Sequence, residues 1–218
     1  MNTPLPRVLL TGFDPFGGES LNPSWEAVRR LDGELVHGHH VVAEQLPTCF
    51  GTSLRRLRAA LTRSKPALVV CVGQAGGRSR VSLERVAINV DDARIPDNAG
   101  KQPIDRAIVR GGPAAYFTSL PIKAQLAALQ KAGLPAEISQ TAGTFVCNHV
   151  FYGLMHALRE KPQVRGGFVH IPFLPEQAVA HPGAPSLALD TIVTSLRLIV
   201  GTALTTRRDR RLGGGATH

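Results

Sequence analysis

The sequence is short of several residues that often define a class of protein. It has only 3 cysteines among 218 residues, Cys49, Cys71 and Cys147. An odd number at wide spacing argues against a disulfide framework, and it also argues against a structural zinc site. We therefore expect free thiols, no metal and a reducing compartment, the cytoplasm.

Long apolar runs are also missing. Residues 1–7 have no apolar segment behind a basic start, so we expect no signal peptide. The longest apolar stretch, residues 187–204, is interrupted by Asp190 and Arg197, which argues against a membrane span. These features predict a soluble protein without a membrane partner.

Acidic residues are scarce, because 16 Asp and Glu stand against 25 Lys and Arg, a net charge of +9. Such an excess raises the question of a nucleic-acid partner. The sequence, however, has no recognition-helix motif and no aromatic residues interleaved with basic ones on strands. Most of the excess lies in one predicted helix and in the tail, at Arg55, Arg56, Arg58, Arg63, Lys65, Arg207, Arg208, Arg210 and Arg211. We interpret it as surface solvation and expect no nucleic-acid partner.

What the sequence does have is an alternation of apolar strands and amphipathic helices. Apolar residues make up 43% of the chain, enough for a buried core. The patterns predict strands at 7–11, 41–46, 67–72, 86–90, 136–140 and 167–171, and helices from Asn22-Pro23, at 52–63, at 122–132, from Val146 and at 186–205. This order predicts an α/β fold, a parallel or mixed sheet with helices on both faces. Residues 1–205 form one predicted domain with an irregular excursion at 91–112, and residues 206–218 are predicted to be a disordered tail.

Ligands of such sheets bind beyond the carboxyl ends of the strands. Four predicted ends carry distinctive residues: Gly12-Phe13, Gly73-Gln74, the turn at 141–144, and His170. We expect these four ends to meet at one edge of the sheet.

Cys147 is the candidate nucleophile. It follows the turn at 141–144, and the start of a helix offers unpaired N–H groups and partial positive charge. Both favour the reactive thiolate, and the same N–H groups can hold an oxyanion. The alternative is a small buried hydrophobic residue, which is the interpretation adopted for Cys49 and Cys71.

A cysteine nucleophile needs a base, usually a histidine. His170 interrupts an apolar strand at its carboxyl end, where an imidazole needs a polar partner. The alternative for His170 is a core histidine with satisfied hydrogen bonds. His149 follows Cys147 by two residues on one predicted helix and so faces another direction.

The third member of such a site is a carboxylate that orients the histidine. Glu84 lies before an alternating strand, and Asp91 and Asp92 follow the same strand. Glu84 could equally form an ion pair with the neighbouring Arg85. The spacing alone does not choose among these carboxylates.

Phe13 and Phe16 are bulky apolar residues in a glycine-rich turn, where polar residues are usual. They could plug the core, or they could wall a pocket for a flat, mostly apolar ligand. Gly12, Gly17 and Gly18 do not have dinucleotide-binding spacing, and no phosphate-binding lysine follows them. Phosphate binding is therefore poorly supported.

Six sets of motifs, in order along the chain, resemble one known family. They are TGFDPFGG with NPS (11–18 and 22–24), GQAGGR (73–78), ERVAIN (84–89), ARIPDN (93–98), TAGTFVCNH (141–149) and GFVHIP (167–172). These motifs resemble the bacterial pyroglutamyl-peptidase I family, the pyrrolidone-carboxylate peptidases, from about Arg7 to Val200. Its members are cysteine peptidases that remove an N-terminal pyroglutamyl residue. The resemblance implies a single-domain three-layer α/β/α sandwich with a twisted, mostly parallel (mixed) sheet, no cofactor, and a homotetramer.

The resemblance also implies the site. By it, Cys147 is the nucleophile, His170 the general base and acid, and Glu84 the carboxylate that orients His170. The implied ring pocket consists of Phe13, Phe16, Asn22, Thr48, Gln74, Ile95, Phe145 and Val146. The implied partners are small peptides with N-terminal pyroglutamate, an uncharged lactam that phenylalanine rings can bury. Two alternatives remain: a thiol amidase for another small amide, and a nucleic-acid-binding protein.

Overall fold

The computed structural model describes residues 5–215. Its strands are β1 (Arg7–Phe13), β2 (Leu35–Val36), β3 (His39–Leu46), β4 (Leu68–Gln74), β5 (Val81–Glu84), β6 (Val86–Ile88), β7 (Ala115–Phe117), β8 (Ala136–Ser139) and β9 (Arg165–Ile171). Its helices are α1 (Pro23–Arg29), α2 (Thr52–Ser64), α3 (Ile122–Lys131), α4 (Val146–Leu158), α5 (Pro175–Ala178) and α6 (Leu189–Thr205). Within residues 5–215, no helix is both long and apolar enough to span a bilayer.

A seven-stranded sheet in the order β2-β3-β1-β4-β9-β5-β8 forms the middle layer. Successive side chains of a strand point to opposite faces, and β1 shows this clearly. Val8 and Leu10 pack into a core shared with α1, α3 and α6, whereas Leu9 packs into a second core with α2 and α4. The three-layer α/β/α sandwich with a mostly parallel, mixed sheet is confirmed.

The direction of the strands modifies one expectation about the sheet edge. β1, β3, β4 and β9 run parallel, so Phe13, Gln74 and Ile171 end at the same edge. β5 runs antiparallel to β9, and β8 runs parallel to β5. The turn at 141–144 therefore follows a strand that points away from the common edge. β5 lies directly beside β9, so Glu84 at the end of β5 stays close to that strand, whereas β8 is separated from β9 by β5.

Glu84 has a different setting from the one expected. It is the last residue of β5, a separate strand that the sequence did not indicate, and the alternating strand after it is the short β6. β6 pairs with β7 in a small second sheet rather than joining the main one. Within β5, Ser82 is buried and its Oγ donates to Glu137 Oε1 of β8.

The C-terminal segment also departs from simple expectation. α6 begins at Leu189 rather than at Ser186, because Ser186 bridges Phe173 in an extended conformation. Beyond α6, residues 206–215 have no helix or strand, yet Asp209 accepts hydrogen bonds from the backbone N–H groups of Lys123 (3.0 Å) and Ala124 (2.9 Å). Disorder of the tail in solution stays a prediction, and residues 216–218 lie outside the described part.

Candidate active site

Cys147 lies in the first turn of α4 and is half-buried with a free thiol. A β-carbon placed on Gly73 would lie only 2.8 Å from its Sγ, so the sulfur packs directly against the backbone of β4. Gly73 in turn pairs with His170 in the register of β4 and β9. The fold therefore brings the cysteine to the strand pair that carries the histidine.

His170 is 3% exposed and is held from both sides. Its ring lies 4.9 Å from the Phe168 ring, centroid to centroid. Its Nδ1 is 2.7 Å from Glu84 Oε1, a hydrogen bond in which the ring N–H donates to the carboxylate. Glu84 lies two residues beyond Ser82, the residue that pairs with His170, so both side chains share one face of the sheet.

Glu84 is completely buried, and its Oε1 also accepts a hydrogen bond from Arg78 Nη1 at 2.6 Å. The expected alternative of an ion pair with Arg85 is not the arrangement found, because Arg85 Nη2 donates instead to Gly214 O. Arg78 belongs to the loop after β4, and its Nη2 donates to Thr141 O at 3.0 Å. One arginine thus links the buried carboxylate to the turn that precedes α4.

The other two carboxylates that the spacing left open lie elsewhere. Asp91 Oδ2 is 2.8 Å from His149 Nδ1, and His149 Nε2 accepts a hydrogen bond from Gly51 N at 2.9 Å. Asp92 is exposed on the surface. Among the three carboxylates, the geometry brings only Glu84 into contact with His170.

Burial dominates the protonation of the candidate pair. It raises the pKa of the Cys147 thiol to about 12, an effect that Glu84 reinforces and Arg78 opposes. Burial also lowers the pKa of His170, although the hydrogen bond and charge of Glu84 act in the other direction. Both shifts favour the neutral forms of the thiol and the imidazole. The start of α4 was expected to favour a thiolate, and burial of the sulfur acts in the opposite direction.

Aromatic side chains cluster around the start of α4, the helix that carries Cys147. Phe145 occupies the N-cap position of α4 and contacts Phe16 at 6.2 Å and Phe50 at 5.4 Å between ring centroids. Phe13 is buried against Phe168 at 6.3 Å, and Val146 is fully buried. Phe50 was not identified from the sequence, although its place beside Thr48 and before α2 was a possible signal.

The polar residues of the expected pocket serve the loops around it. Asn22 Nδ2 donates to Asp14 O and its Oδ1 caps α1 by accepting from Ser24 N. Thr48 N donates to Asp14 Oδ1 at 2.6 Å, so Thr48 anchors the same loop. Gln74 is half-buried at the end of β4, where its Oε1 accepts from Gln177 Nε2 at 3.3 Å. Ile95 is half-buried within the segment after β6.

Two residues that contact the candidate triad, Arg78 and Gly73, had no role predicted from the sequence. Arg78 was visible only as the last residue of the GQAGGR motif, and nothing in its spacing connects it to Glu84. Gly73 interrupts a buried strand, a position where glycine often permits close backbone approach. Cys71 is buried in β4, and burial raises the pKa of its thiol to about 12.

Comparison with known proteins gives the class to which this fold and site belong. The family model described as pyroglutamyl peptidase matches residues 6–206. Pyrrolidone-carboxylate peptidases of Cupriavidus taiwanensis and Erwinia tasmaniensis are 63% and 61% identical over 216 and 212 residues. These alignments cover 98% and 97% of this chain, and 100% and 99% of the relatives.

Solved structures of similar proteins agree with this family match. The crystal structure of pyroglutamyl peptidase I from Bacillus amyloliquefaciens has a TM-score of 0.93 at 53% identity, and it covers 96% of this chain and all of its own. The pyrrolidone carboxyl peptidase from Thermococcus litoralis has a TM-score of 0.92 at 34% identity, with 96% of this chain and 100% of that chain covered.

The protein is thus a hydrolytic enzyme with an α/β/α peptidase fold. More particularly, the chain belongs to the pyroglutamyl peptidase family, as the motifs predicted.

Proposed function

We propose that this enzyme is a cysteine exopeptidase that removes N-terminal pyroglutamate from small peptides through a Cys147-His170-Glu84 triad. The observation that carries the proposal is the packing of Cys147 Sγ on Gly73, whose strand partner His170 is hydrogen-bonded to Glu84. A nucleophile, a base and an orienting carboxylate are the parts that acyl transfer by a thiol requires.

Acylation begins with a proton transfer. His170 holds its Nδ1–H on Glu84, so its Nε2 is free to accept the Cys147 proton as the S–C bond forms. This proton transfer starts from a neutral thiol and a neutral imidazole, the forms that burial favours. The protonated imidazole then delivers the proton to the leaving amine as the C–N bond breaks.

The carbonyl oxygen becomes negatively charged in this step and needs donors. α4 offers its first backbone N–H groups, which have no acceptor within the helix. Its N-cap residue, Phe145, has no side-chain acceptor that would occupy them. Water then attacks the acyl-enzyme with His170 as base, and the thiol and free pyroglutamate are regenerated.

The lactam ring is uncharged and largely apolar, and Phe13, Phe16, Phe145 and Val146 supply a matching wall. Gln74 carries the amide group for the polar edge of the ring, since its Oε1 is engaged by Gln177 and its Nε2 can donate. Leaving a ring amide group unpaired would cost about 1–3 kcal/mol. Asn22 and Thr48 hold the loop that carries Phe16, and Ile95 contributes apolar surface from the segment after β6.

The test is cleavage of a chromogenic pyroglutamyl amide, compared with prolyl and glutaminyl amides. We expect strong preference for the lactam, and loss of cleavage in Cys147→Ser and His170→Ala with the circular dichroism spectrum retained. Equal rates in the wild type and either variant would refute the triad, and a preference for prolyl amide would refute the ring pocket.

The remaining proposals concern the setting of the enzyme. We place it in the cytoplasm, where its thiols stay reduced, with residues 1–205 as the catalytic domain. We also propose a homotetramer, which light scattering of the purified protein would confirm or refute.

A further inference from the structure

Arg78 is the cation that contacts the buried end of the proposed triad. Its Nη1 donates to Glu84 Oε1 at 2.6 Å, and its Nη2 donates to Thr141 O at 3.0 Å. The arginine side chain is 25% exposed, whereas the glutamate is fully buried. The guanidinium is therefore a partly exposed group in contact with a fully buried carboxylate.

Both hydrogen bonds to Glu84 converge on one oxygen. Oε1 accepts from Arg78 and from His170 Nδ1, while Oε2 is buried without a hydrogen-bond partner among residues 5–215. A buried carboxylate is stable as an anion only when a cation or several donors compensate its charge. Neutral His170 adds a donor but no positive charge.

The other groups around Glu84 do not supply that charge. Burial raises the pKa of the Cys147 thiol on α4 and so favours its neutral form. Glu137 on β8 is itself acidic and accepts a hydrogen bond from the Ser82 hydroxyl. Arg85, the next residue, directs its guanidinium to Gly214 O. Arg78 is thus the compensating cation of the buried pair.

The charge of Glu84 fixes the tautomer of His170. An ionised carboxylate only accepts, so Nδ1 must carry the ring proton and Nε2 keeps its lone pair. A protonated carboxyl group would donate to Nδ1 instead and leave the proton on Nε2. His170 in that tautomer has no site for the proton of Cys147.

We propose that Arg78 is a positioning residue that keeps Glu84 ionised and so holds His170 in its reactive tautomer. This inference rests on the proposed function, because it assigns Arg78 a task within that triad. The proton balance is unchanged: the thiol proton moves to Nε2 and then to the leaving amine, and Arg78 neither gives nor takes one.

Three variants separate charge from geometry. Arg78→Gln keeps an N–H donor but removes the charge, Arg78→Lys keeps the charge but has one donor group, and Arg80→Gln removes a charge from an exposed site on the same loop. We expect Arg78→Gln to lower kcat by at least ~10-fold with little change in KM, since the wrong tautomer impairs the chemical step. The acid limb of its kcat profile should move to higher pH.

Arg78→Lys should restore the wild-type acid limb with a smaller loss of kcat, and Arg80→Gln should behave as the wild type. An unshifted acid limb in Arg78→Gln, with only a lower melting temperature, would overturn the proposal and leave Arg78 as an anchor for the turn at residue 141.

Nitrogen-15 NMR of the histidine rings gives a readout that needs no substrate. The His170 signals are assigned by their loss in His170→Gln. We expect Nδ1–H in the wild type and a shift towards Nε2–H in Arg78→Gln at neutral pH. The same tautomer in both proteins would refute the inference even if the enzyme cleaved pyroglutamyl amides, and failure of cleavage would leave this readout intact.

Discussion

Cys147 Sγ lies in the space that a side chain on Gly73 would need. A β-carbon on Gly73 would lie 2.8 Å from Cys147 Sγ and 2.8 Å from the Phe168 ring. Because Gly73 pairs with His170 across β4 and β9, the absence of a side chain is what lets the sulfur approach the histidine strand. A single missing methyl group therefore shapes the candidate site.

Gly73→Ala is expected to displace the Cys147 sulfur. Since small misplacements of reacting groups are costly, kcat/KM for a pyroglutamyl amide should fall at least ~10-fold. Gly213→Ala, where a β-carbon meets no atom of residues 5–215 within 4 Å, is the matched control and should keep wild-type activity. Wild-type kcat/KM in Gly73→Ala would show that the sulfur does not need this space.

Asp91→Ala and Glu84→Ala distinguish the two buried carboxylate–histidine pairs. Removing Asp91 leaves His149 Nδ1–H without its partner, so the free energy of unfolding should fall by about 1–3 kcal/mol. Removing Glu84 instead frees His170 from its orienting group, and kcat should fall at least ~100-fold. Urea unfolding and steady-state kinetics measure the two effects.

The test is the difference in kcat between Asp91→Ala and Glu84→Ala. Asp91→Ala should retain kcat within about threefold, because its carboxylate does not touch His170. A larger loss of kcat in Asp91→Ala than in Glu84→Ala would reverse the assignment.

Alkylation of Cys147 should depend on pH over an unusually wide range. Burial raises the pKa of its thiol to about 12, so the reactive thiolate is scarce at neutral pH and increases throughout the alkaline range. The rate of modification by iodoacetamide, followed at Cys147 by mass spectrometry, should still be rising above about pH 9. Glu84→Gln removes a group that raises this pKa and should speed alkylation near neutrality. A rate that levels off below about pH 8 would indicate a preformed thiolate–imidazolium pair instead.

Asp209 should stabilise the domain from within the basic tail. Its carboxylate accepts from Lys123 N and Ala124 N at the start of α3, where Pro121 offers no side-chain acceptor. Losing a capping interaction costs about 1 kcal/mol, so Asp209→Ala should lower the melting temperature and leave kcat unchanged. Arg208→Ala, an exposed neighbour, is the control. Equal melting temperatures for Asp209→Ala and the wild type would show that the cap does not persist in solution.

Much of the fold could be predicted because local patterns agree with the tertiary structure. Residues 52–63 have helical spacing and form α2, and the uniformly apolar run before Gly73 forms β4. β5 escaped prediction because its polar residues become buried only through partners distant in sequence, such as Glu137 for Ser82. The direction of β5 and β8 depends on the same distant pairings.

The residues of the candidate site were also predictable only where the local sequence carries the signal. Cys147 and His170 are recognisable because each is chemically out of place, one after a turn and one inside an apolar strand. Glu84 could not be chosen over Asp91 from spacing, because the choice depends on which histidine each carboxylate reaches. Arg78 carried no local signal at all. The interpretation of the excess positive charge also needed the structure. Arg56 and Arg63 on α2 form ion pairs with the buried Glu44 of β3, a pairing that the sequence did not indicate.

The antiparallel pairing of β5 with β9 has a consequence for how this chain tolerates insertions. Ser82 faces His170 and Leu83 faces Val169, and this short ladder sets the face on which Glu84 lies. Successive residues of a strand alternate between faces, so one residue added inside β5 would turn the carboxylate into the opposite layer, among α3 and α6. The proposed triad therefore depends on the number of residues in β5. After such an insertion all three residues of the triad would still be present, but Glu84 would no longer reach His170.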